Sequence, residues 1–393
     1  MTSTAGAGVI RDDVPDSQYT GLAAAPEYES VGRLTWNETS GSFLGSGTLI
    51  ADDWVLTAAH NLDGADGAGS GVSNVTFNLG GANYGIDQFI LEPTWVSLGG
   101  DTVQSNFTSG WDLALVKLSE PVVGIDPAVL YTGEGELGLV GTAVGYGATG
   151  TGSTGFDAAT AGTKRAGDNV IDVVGTTKTP GSARFLFNVN NERVLGVDFD
   201  EPGNPAAGRL GSDTPLDLEY LIAPGDSGGG LFVEADGQTL LAGVTSFGQS
   251  FDADGVNSDY GDLGGFTRVS PFVEWIEETI FLVDGGPPHD AVVSTFPGDF
   301  NGDGLVDDGD YAVWLAEFGQ AGDSLTADAN GDGVVDGGDY TVWRDHIGVD
   351  YDDVIAVFAV PEPSVAVWII LAVCFPARGR TRPSHTHASL SHP

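Results

Sequence analysis

Cysteine is almost absent from this chain of 393 residues, which has a single thiol, Cys374. One thiol excludes any disulfide within the chain. Secreted animal enzymes usually carry several disulfides, so the scarcity of cysteine favours a bacterial protein. The chain is long enough for two or more domains, and its 41% hydrophobic residues suffice for at least one sizeable core.

Positive charge is also scarce. The chain has 14 lysines and arginines against 56 aspartates and glutamates, which gives a formal net charge of −42. Such a surface repels phosphate backbones and anionic lipid, so we expect no nucleic-acid partner. It suits divalent cations, or a salty extracellular setting that screens self-repulsion. For most of these carboxylates, plain solubility is the simpler explanation.

An apolar leader is missing from the N-terminal segment, residues 1–30. Its first residues, "MTSTAGAGVIRDDVPDSQ", contain no hydrophobic run of the kind found in a signal peptide. We nevertheless expect a protein that is secreted or held at the cell surface, because the far end of the chain resembles a sorting signal, as described below. We therefore expect the natural start codon to lie upstream.

Long helical patterns are rare between residues 31 and 284. Short β-rich runs such as "NVTFNLGG", "LALVKL" and "LLAGVTSFG" alternate with glycine, aspartate and asparagine. Many short strands with turn signals predict an all-β barrel or sandwich. One amphipathic segment, "SPFVEWIEETIFLV", closes the region, and a Pro/Gly stretch predicts a linker over residues 285–298.

Histidine is scarce as well, since the first 288 residues contain only His60. A lone histidine is more often a surface or core residue, but the strand-like "WVLTA" before it places this one at a strand end. Asp112 is the first residue of the run "DLALVKL". Considered alone, an aspartate at that position is more simply explained as a turn-forming residue than as a catalytic one. Ser227 lies in "GDSGGG", which as a phosphate-binding loop would need a following GK[ST]. A serine nucleophile needs a histidine base, an orienting carboxylate and backbone N–H donors.

The motifs "LTAAH", "DLALVKL" and "GDSGGGL", in that order, resemble those of the trypsin/chymotrypsin-type serine endopeptidases. The resemblance implies a mainly β fold of two six-stranded antiparallel β-barrels with the active site between them, and protein or peptide substrates. It makes Ser227 the nucleophile, His60 the general base and acid, and Asp112 the residue that orients His60. The backbone N–H groups of Gly225 and Ser227 would form the oxyanion hole.

The same resemblance implies a substrate-binding strand in "VTSFGQ". Ser246 would lie near the triad aspartate, and Phe247 and Gly248 would pair with the substrate backbone. Leu221, six residues before the serine, would line the base of the specificity pocket, flanked by Gly248 and Gly264. An uncharged residue there predicts a preference for a large apolar or aromatic side chain.

Asp226 raises the question of activation. In the animal members of the resembled family, the aspartate before the serine pairs with a newly freed amino terminus. We find no clear "IVGG" sequence, and "GVIRDDV" at 8–14 is a poor match. A basic side chain is the alternative partner, because a buried carboxylate needs one.

An internal repeat occupies residues 299–350. "DFNGDGLVDDGDYAVWLAEFG" begins at Asp299 and recurs as "DANGDGVVDGGDYTVWRDHIG" at Asp328. Oxygen donors at loop positions one, three, five, seven, nine and twelve, with glycine at six, suit Ca²⁺. Asparagine/aspartate-rich turns are the alternative. The predicted ligands, with a backbone carbonyl at position seven, are Asp299, Asn301, Asp303, Leu305, Asp307 and Asp310, then Asp328, Asn330, Asp332, Val334, Asp336 and Asp339.

Each loop ends in aspartate and is followed by one "YxVW" helix, which resembles a dockerin type I module. The resemblance implies a small α-helical domain with two Ca²⁺ ions and a cohesin-like partner. A second linker would cover residues 351–360. Beyond it, "VPEPS", an apolar run and arginines at 361–382 resemble a PEP-CTERM sorting signal processed by an exosortase, with a tail at 383–393. A frayed apolar terminus is the alternative.

Together these patterns predict a secreted or surface-attached bacterial serine endopeptidase with a calcium-dependent attachment module. The alternative from another class is a non-catalytic binding or scaffold protein on the same fold. The intact set of His60, Asp112 and Ser227 argues against that alternative, because such proteins usually lose one member. The peptidase chemistry itself needs no cofactor.

Overall fold

The computed structural model describes residues 8–102, 104–175, 192–235, 237–250, 257–284, 298–301, 305–322, 325–329, 333–347 and 357–359. The predicted sorting segment 361–382, the tail 383–393 and most of the linker 285–298 lie outside these residues. So do three predicted calcium ligands, Asp303, Asn330 and Asp332. Within the described part of the chain, no helix is long and apolar enough to cross a membrane.

The first part of the fold is a closed barrel. An N-terminal strand, β1 (Gly8–Ile10), and a helix, α1 (Asp16–Ala23), precede it. The elements of the barrel are β2 (Val31–Glu38), β3 (Gly41–Ala51), β4 (Trp54–Thr57), β5 (Ser73–Leu79), β6 (Ala82–Leu91), α2 (Pro93–Ser97) and β7 (Ala114–Leu118). Six strands pair in the order β6-β5-β2-β3-β4-β7, and β6 pairs back to β7. Every pairing among these six strands is antiparallel, so this barrel is confirmed as predicted.

Alternation of side chains explains the barrel core. Along β5, Val75, Phe77 and Leu79 are buried, whereas Thr76 and Asn78 between them are half-exposed. Successive side chains of a strand point to opposite faces, so this period of two buries one face of the strand. The hydrophobic interior of the barrel forms from such faces.

The second part contains an open sheet and a smaller sheet of four strands. Its elements are β8 (Val129–Leu130), β9 (Val140–Gly145), β10 (Thr149–Thr151), β11 (Gly155–Asp157), β12 (Arg165–Val170), β13 (Val173–Val174), β14 (Val194–Asp198), β15 (Tyr220–Leu221), β16 (Gly230–Ala235), β17 (Gln238–Gln249), β18 (Leu263–Arg268) and α3 (Val273–Val283). The main path runs β12-β9-β16-β17-β18-β14-β13, with β8 beside β17. The prediction of a second closed barrel is wrong, because this domain is a half-barrel.

A side chain bridges the opening of the half-barrel. The amide of Asn169 on β12 donates to the backbone carbonyls of Asp198 on β14 (2.6 Å) and Tyr220 on β15 (3.0 Å). Between β12 and β15 the backbone contact is a single isolated bridge, Asp168 with Glu219. A polar side chain therefore satisfies carbonyls that a continuous strand ladder would otherwise pair.

The N-terminal segment is part of this second domain. Strand β1 lies between β10, to which it is parallel, and β15, to which it is antiparallel. Val9 is fully buried in the same cluster as Tyr19 of α1 and Leu221 of β15. The described part of the segment, predicted as a separate stretch, thus contributes to the core.

Hydrophobic residues of both parts meet in one cluster. Trp54 and Leu115 of the barrel pack with Phe232 and Val244 of the open sheet. Ile276 of α3, the predicted amphipathic helix, joins them. The two β domains are therefore packed directly against each other, and the cleft between them is where the motif residues lie.

The repeats form two helices, α4 (Asp308–Glu317) and α5 (Gly337–His346). Four aromatic residues of the two repeats, Tyr311, Trp314, Tyr340 and Trp343, pack together. Further along, β19 (Val357–Ala359) pairs antiparallel with β6, so part of the predicted linker 351–360 is a strand.

Candidate active site

The three motif side chains lie at the ends of strands that face the cleft. His60 is in a 3₁₀ turn, Ala59–Asn61, directly after β4. Asp112 is two residues before β7, the strand that pairs with β4. Ser227 is in the turn before β16 of the other domain. Pairing of β4 with β7 brings His60 and Asp112 together, and the packing of the two domains places Ser227 opposite them.

The carboxylate of Asp112 is fully buried and takes three donors. Its Oδ1 accepts the backbone N–H of His60 at 2.9 Å, and its Oδ2 lies 2.7 Å from Nδ1 of the imidazole. The hydroxyl of Ser246 donates to the same Oδ2. A carboxylate can only accept, so the hydrogen of the neutral imidazole is on Nδ1 and Nε2 is left as the acceptor.

The pKa of His60 is raised above its ordinary value. Burial opposes the charged imidazolium, but the charge and hydrogen bond of Asp112 outweigh it, and the carboxylates of Asp63 and Asp101 act in the same direction. A raised pKa makes Nε2 a stronger base. It also means that the imidazole becomes neutral only at a higher pH than a free histidine.

Glycine is required on both sides of Ser227. Gly225 and Gly228 have φ of +98° and +84°, which L-residues with a Cβ rarely adopt. A Cβ on Gly228 would lie 2.1 Å from Oγ1 of Thr57 and 2.2 Å from the carbonyl of Ser46. Among the described residues, the amides of Gly225 and Ser227 donate to no other protein group. The turn therefore presents two free N–H groups next to the serine hydroxyl.

A cavity of about 430 Å³ contains both His60 and Ser227 in its lining. Ser246, Phe247 and Gly248 of β17 form one side of it. The other described lining residues are Phe107, Phe156, Ile222, Ala223, Pro224, Thr245, Gln249, Ser250, Asn257, Ser258, Asp262 and Leu263. A base, a hydroxyl and a wall of strand backbone thus share one space that a peptide can enter.

This arrangement agrees with comparisons against known proteins. The trypsin family model matches residues 23–276. The chain belongs to the trypsin family of serine endopeptidases. Brachyurin of Leptuca pugilator is 31% identical over 236 residues, 59% of this chain and 85% of brachyurin. Chymotrypsin-like elastase family member 1 of Macaca fascicularis is 27% identical over 254 residues, 63% of this chain and 80% of the relative. A solved HL collagenase structure covers 67% of this chain with 95% of its own, at 22% identity and a TM-score of 0.43.

The residues predicted for substrate binding in this trypsin-family chain fall in two places. Ser246, Phe247 and Gly248 line the cavity. Leu221 and Gly264 do not; they lie behind its wall, where a Cβ on Gly264 would be 3.2 Å from Cδ1 of Leu221. The adjacent Ile222 lines the cavity instead, together with the carboxyl-bearing Asp262, which the sequence reasoning did not single out.

Two further residues that the sequence reasoning missed hold the serine turn. Ser46 donates its backbone N–H to the carbonyl of Ser227 (2.8 Å) and its hydroxyl to the carbonyl of Gly225 (3.0 Å). The amide of Asn61 also donates to the carbonyl of Ser227, at 2.9 Å. Their signals are weak: Ser46 lies between two glycines in "GSG", and Asn61 follows the motif histidine.

Phe107 was also missed, and it contacts the imidazole directly. Its ring lies edge-to-face with that of His60, with centroids 5.2 Å apart, and packs in the same way on Trp95 at 5.5 Å. This chain of rings restricts the rotation of the imidazole. A single phenylalanine in a polar loop carries no motif that would have indicated this role.

The calcium loops are described only in part. Asp310 accepts the backbone N–H groups of Asn301 (3.0 Å) and Asp307 (2.8 Å), and Asp339 accepts those of Ala329 (2.8 Å) and Asp336 (2.7 Å). Among the described residues, no three carboxylate, imidazole or thiolate groups converge as metal ligands. Oδ1 of Asp328, however, is buried without a hydrogen-bond donor. A buried carboxylate oxygen without a donor fits the hard oxygen ligand that a cation such as Ca²⁺ takes.

Proposed function

We propose that this trypsin-family endopeptidase cleaves peptide bonds through an acyl-enzyme formed on Ser227. The observation that carries the proposal is the contact of His60 Nδ1 with Asp112 Oδ2 at 2.7 Å, with His60 and Ser227 lining one cavity. A hydrogen on Nδ1 leaves Nε2 to remove the proton from the serine hydroxyl as it attacks the carbonyl. The buried carboxylate of Asp112 stabilises the imidazolium that results.

The remaining steps use the same groups. The amides of Gly225 and Ser227 stabilise the negative charge on the carbonyl oxygen, and such donors are worth about 10²–10³-fold in rate. The imidazolium then donates its proton to the leaving amine, and water attacks the acyl-enzyme by the reverse sequence. Ser246 supports Asp112, so its removal would misorient the base.

We infer a preference for a large apolar residue before the scissile bond. Ile222, Phe247 and Leu263 give the cavity an apolar lining, and Leu221 behind it offers no charge. Assays with peptide anilides that differ only at that residue will test this: Phe, Tyr and Leu should exceed Arg and Lys in kcat/KM. Faster cleavage after Arg or Lys would contradict the preference and would make Asp262 the specificity group.

We also propose that the repeats bind two Ca²⁺ ions and attach the enzyme to a cohesin-like or cell-surface partner. The buried carboxylates of Asp310 and Asp339 and the buried Oδ1 of Asp328 support the first part. Isothermal titration of the chelator-treated full chain should show two sites, abolished by Asp310→Ala with Asp339→Ala. The closest control is Asp308→Ala, which removes an exposed carboxylate from the same helix. Unchanged heats in the double variant would contradict the proposal.

We infer that the enzyme is secreted or surface-attached in a bacterium. A trypsin-family domain without disulfides, the repeats and the resemblance of 361–382 to a sorting signal support this, although the relatives named above are animal proteins. Mass spectrometry of the protein from its source would test it. Recovery from the cell envelope or medium with the C-terminal segment removed is expected, whereas an intact intracellular chain would contradict it.

A further inference from the structure

The carboxylate of Asp226 is held in a closed pocket next to the nucleophile. Its side chain is 1% exposed. Oδ1 accepts the backbone N–H of Gly147 at 2.8 Å, and Oδ2 accepts the N–H of Ala223 at 2.9 Å. The third donor is the hydroxyl of Tyr220, 3.3 Å from Oδ2. Burial raises the pKa of Asp226 to about 6, and these donors reduce the cost of its charge.

Tyr220 is fixed in position by two glycines that allow backbone to approach its ring. A Cβ on Gly8 of β1 would lie 1.9 Å from Cζ of Tyr220, and a Cβ on Gly167 of β12 would lie 2.4 Å from its Cβ. Tyr220 itself is 2% exposed, and burial raises the pKa of its hydroxyl well above the ordinary value. The hydroxyl therefore stays protonated and remains a donor to Asp226.

Strand β1 pairs with β15, the strand whose Tyr220 contacts Asp226. Its register places Val9 opposite Leu221 and Ile10 opposite Tyr220. The hydroxyl of Thr149 donates to the carbonyl of Gly8 at 2.6 Å, which fixes the outer end of the strand.

The conformation of Asp226 sets that of the serine turn. Its backbone N–H donates to the carbonyl of Ala223 (3.0 Å), and its carbonyl accepts the N–H of Gly229 (2.7 Å). The residues between these bonds include Gly225 and Ser227, whose amides form the proposed oxyanion hole. A displaced Asp226 side chain would therefore rotate the peptide groups on both sides of it.

We propose that the hydroxyl of Tyr220 is the positioning group for Asp226, in place of a freed amino terminus. The enzyme would then form its oxyanion hole without cleavage of the chain near Gly8. The proposal rests on the function proposed above for Ser227. The alternative basic partner, Arg165, is buried nearby, but its Nη2 is bound at 2.8 Å by Asp16 of α1. That ion pair instead fastens α1 to β12.

The test compares Tyr220→Phe with Tyr19→Phe in the full chain. Tyr19 is the matched control, because it is buried in the same cluster and its hydroxyl is hydrogen-bonded as well, to the backbone N–H of Arg11 and the carbonyl of Glu219. Loss of oxyanion stabilisation predicts that Tyr220→Phe lowers kcat by about tenfold to a hundredfold and weakens inhibition by a peptide aldehyde equally, with KM within about threefold. Tyr19→Phe should leave kcat and inhibition unchanged even if it lowers Tm.

Three outcomes are informative. If wild type turns over substrate and Tyr220→Phe matches it, the proposal is overturned while the function of Ser227 stands. If wild type is inactive, the function proposed for Ser227 is contradicted, and the proposal for Tyr220 is overturned with it. If Tyr220→Phe does not fold, the test uses wild-type protein whose first residues are verified by mass spectrometry. Turnover by a chain that retains residues 1–7 supports the proposal. Activity confined to a chain that starts at Gly8 or later overturns it.

Discussion

At the scale of single residues, the base depends on charges that no motif contains. Asp63 is almost fully buried, where its Oδ2 accepts the indole N–H of Trp95 and the amide of Asp101, each at 2.9 Å. Burial raises the pKa of Asp63 itself to about 7. In its ionised form this carboxylate favours the imidazolium of His60. In the mechanism proposed above, the pH at which the enzyme becomes active therefore depends on a residue outside the proposed triad.

Replacing Asp63 by asparagine should lower the pKa of His60. The neutral imidazole, the form that acts as base, would then appear at a lower pH. We expect the acid limb of the kcat/KM profile to move towards acid, because removal of a nearby negative charge disfavours the imidazolium. Glu120→Gln, which removes an exposed carboxylate from the same domain, should leave the limb in place. A shift towards higher pH in Asp63→Asn would contradict the account.

Sequence motifs predict some residues of the candidate site and not others. His60, Asp112 and Ser227 lie in motifs whose residue types the chemistry dictates, so their proximity was predictable. Ser46 and Phe107 contact residues far away in the chain, and Tyr220, although only six residues from Asp226, is held by the distant Gly8 and Gly167. Each contact depends on the packing of two domains or on the path of β1, and single-residue patterns carry no information about either. Leu221 shows the same limit, since a motif offset placed it in the pocket and strand pairing with Val9 places it in the core.

At the scale of elements, the half-barrel is where sequence and structure differ most. Runs such as "GTAVGYG" predicted strands, but not whether the first and last strands of a sheet meet. Closure depends on the tilt and number of strands, which turn residues do not encode. Here the side chain of Asn169 on β12 bridges the opening by hydrogen bonds to β14 and β15. The paired helices α4 and α5, by contrast, followed directly from a repeat whose aspartates are N-caps.

Asn169→Ala should destabilise the protein without touching the cleft. Its amide satisfies two backbone carbonyls at a buried site, and unsatisfied buried groups cost about 1–3 kcal/mol each. We expect a clear fall in Tm, measured by scanning fluorimetry, with kcat/KM at low temperature nearly unchanged. Asn78→Ala, which removes a surface hydrogen bond to Asn83 on the first barrel, provides the comparison. Equal Tm values for the two variants would show that the bridge contributes little.

At the scale of the whole molecule, carboxyl groups are buried inside the protein as well as exposed on its surface. Asp200 and Glu219 are almost fully buried in the second domain, and Asp198 lies beside them. Burial, together with neighbouring carboxylates, raises the pKa of Asp200 to about 7 and that of Glu219 to about 8. The composition alone suggested a soluble acidic surface. It could not show that part of the charge surplus is enclosed in the fold.

These raised pKa values predict that stability falls as pH rises. In the unfolded chain such carboxyls lose their protons near pH 4, whereas the folded protein keeps them until about pH 7 to 8. Deprotonation therefore favours the unfolded state progressively across that interval. Asp200→Asn should raise Tm by a few degrees at pH 8 and leave it unchanged near pH 4. Glu201→Gln, at a half-exposed neighbour, should change neither value. A wild-type Tm higher at pH 8 than at pH 5 would be inconsistent with these shifts.

The central claim is that Ser227 is an activated nucleophile. Incubation of the full chain with a fluorophosphonate probe, followed by peptide mass spectrometry, tests it most directly. The account predicts one label per chain, on Ser227, lost in Ser227→Ala and strongly slowed in His60→Ala, with both variants folded by circular dichroism. A folded wild-type protein that takes up no label, or a label that persists in Ser227→Ala, would contradict it.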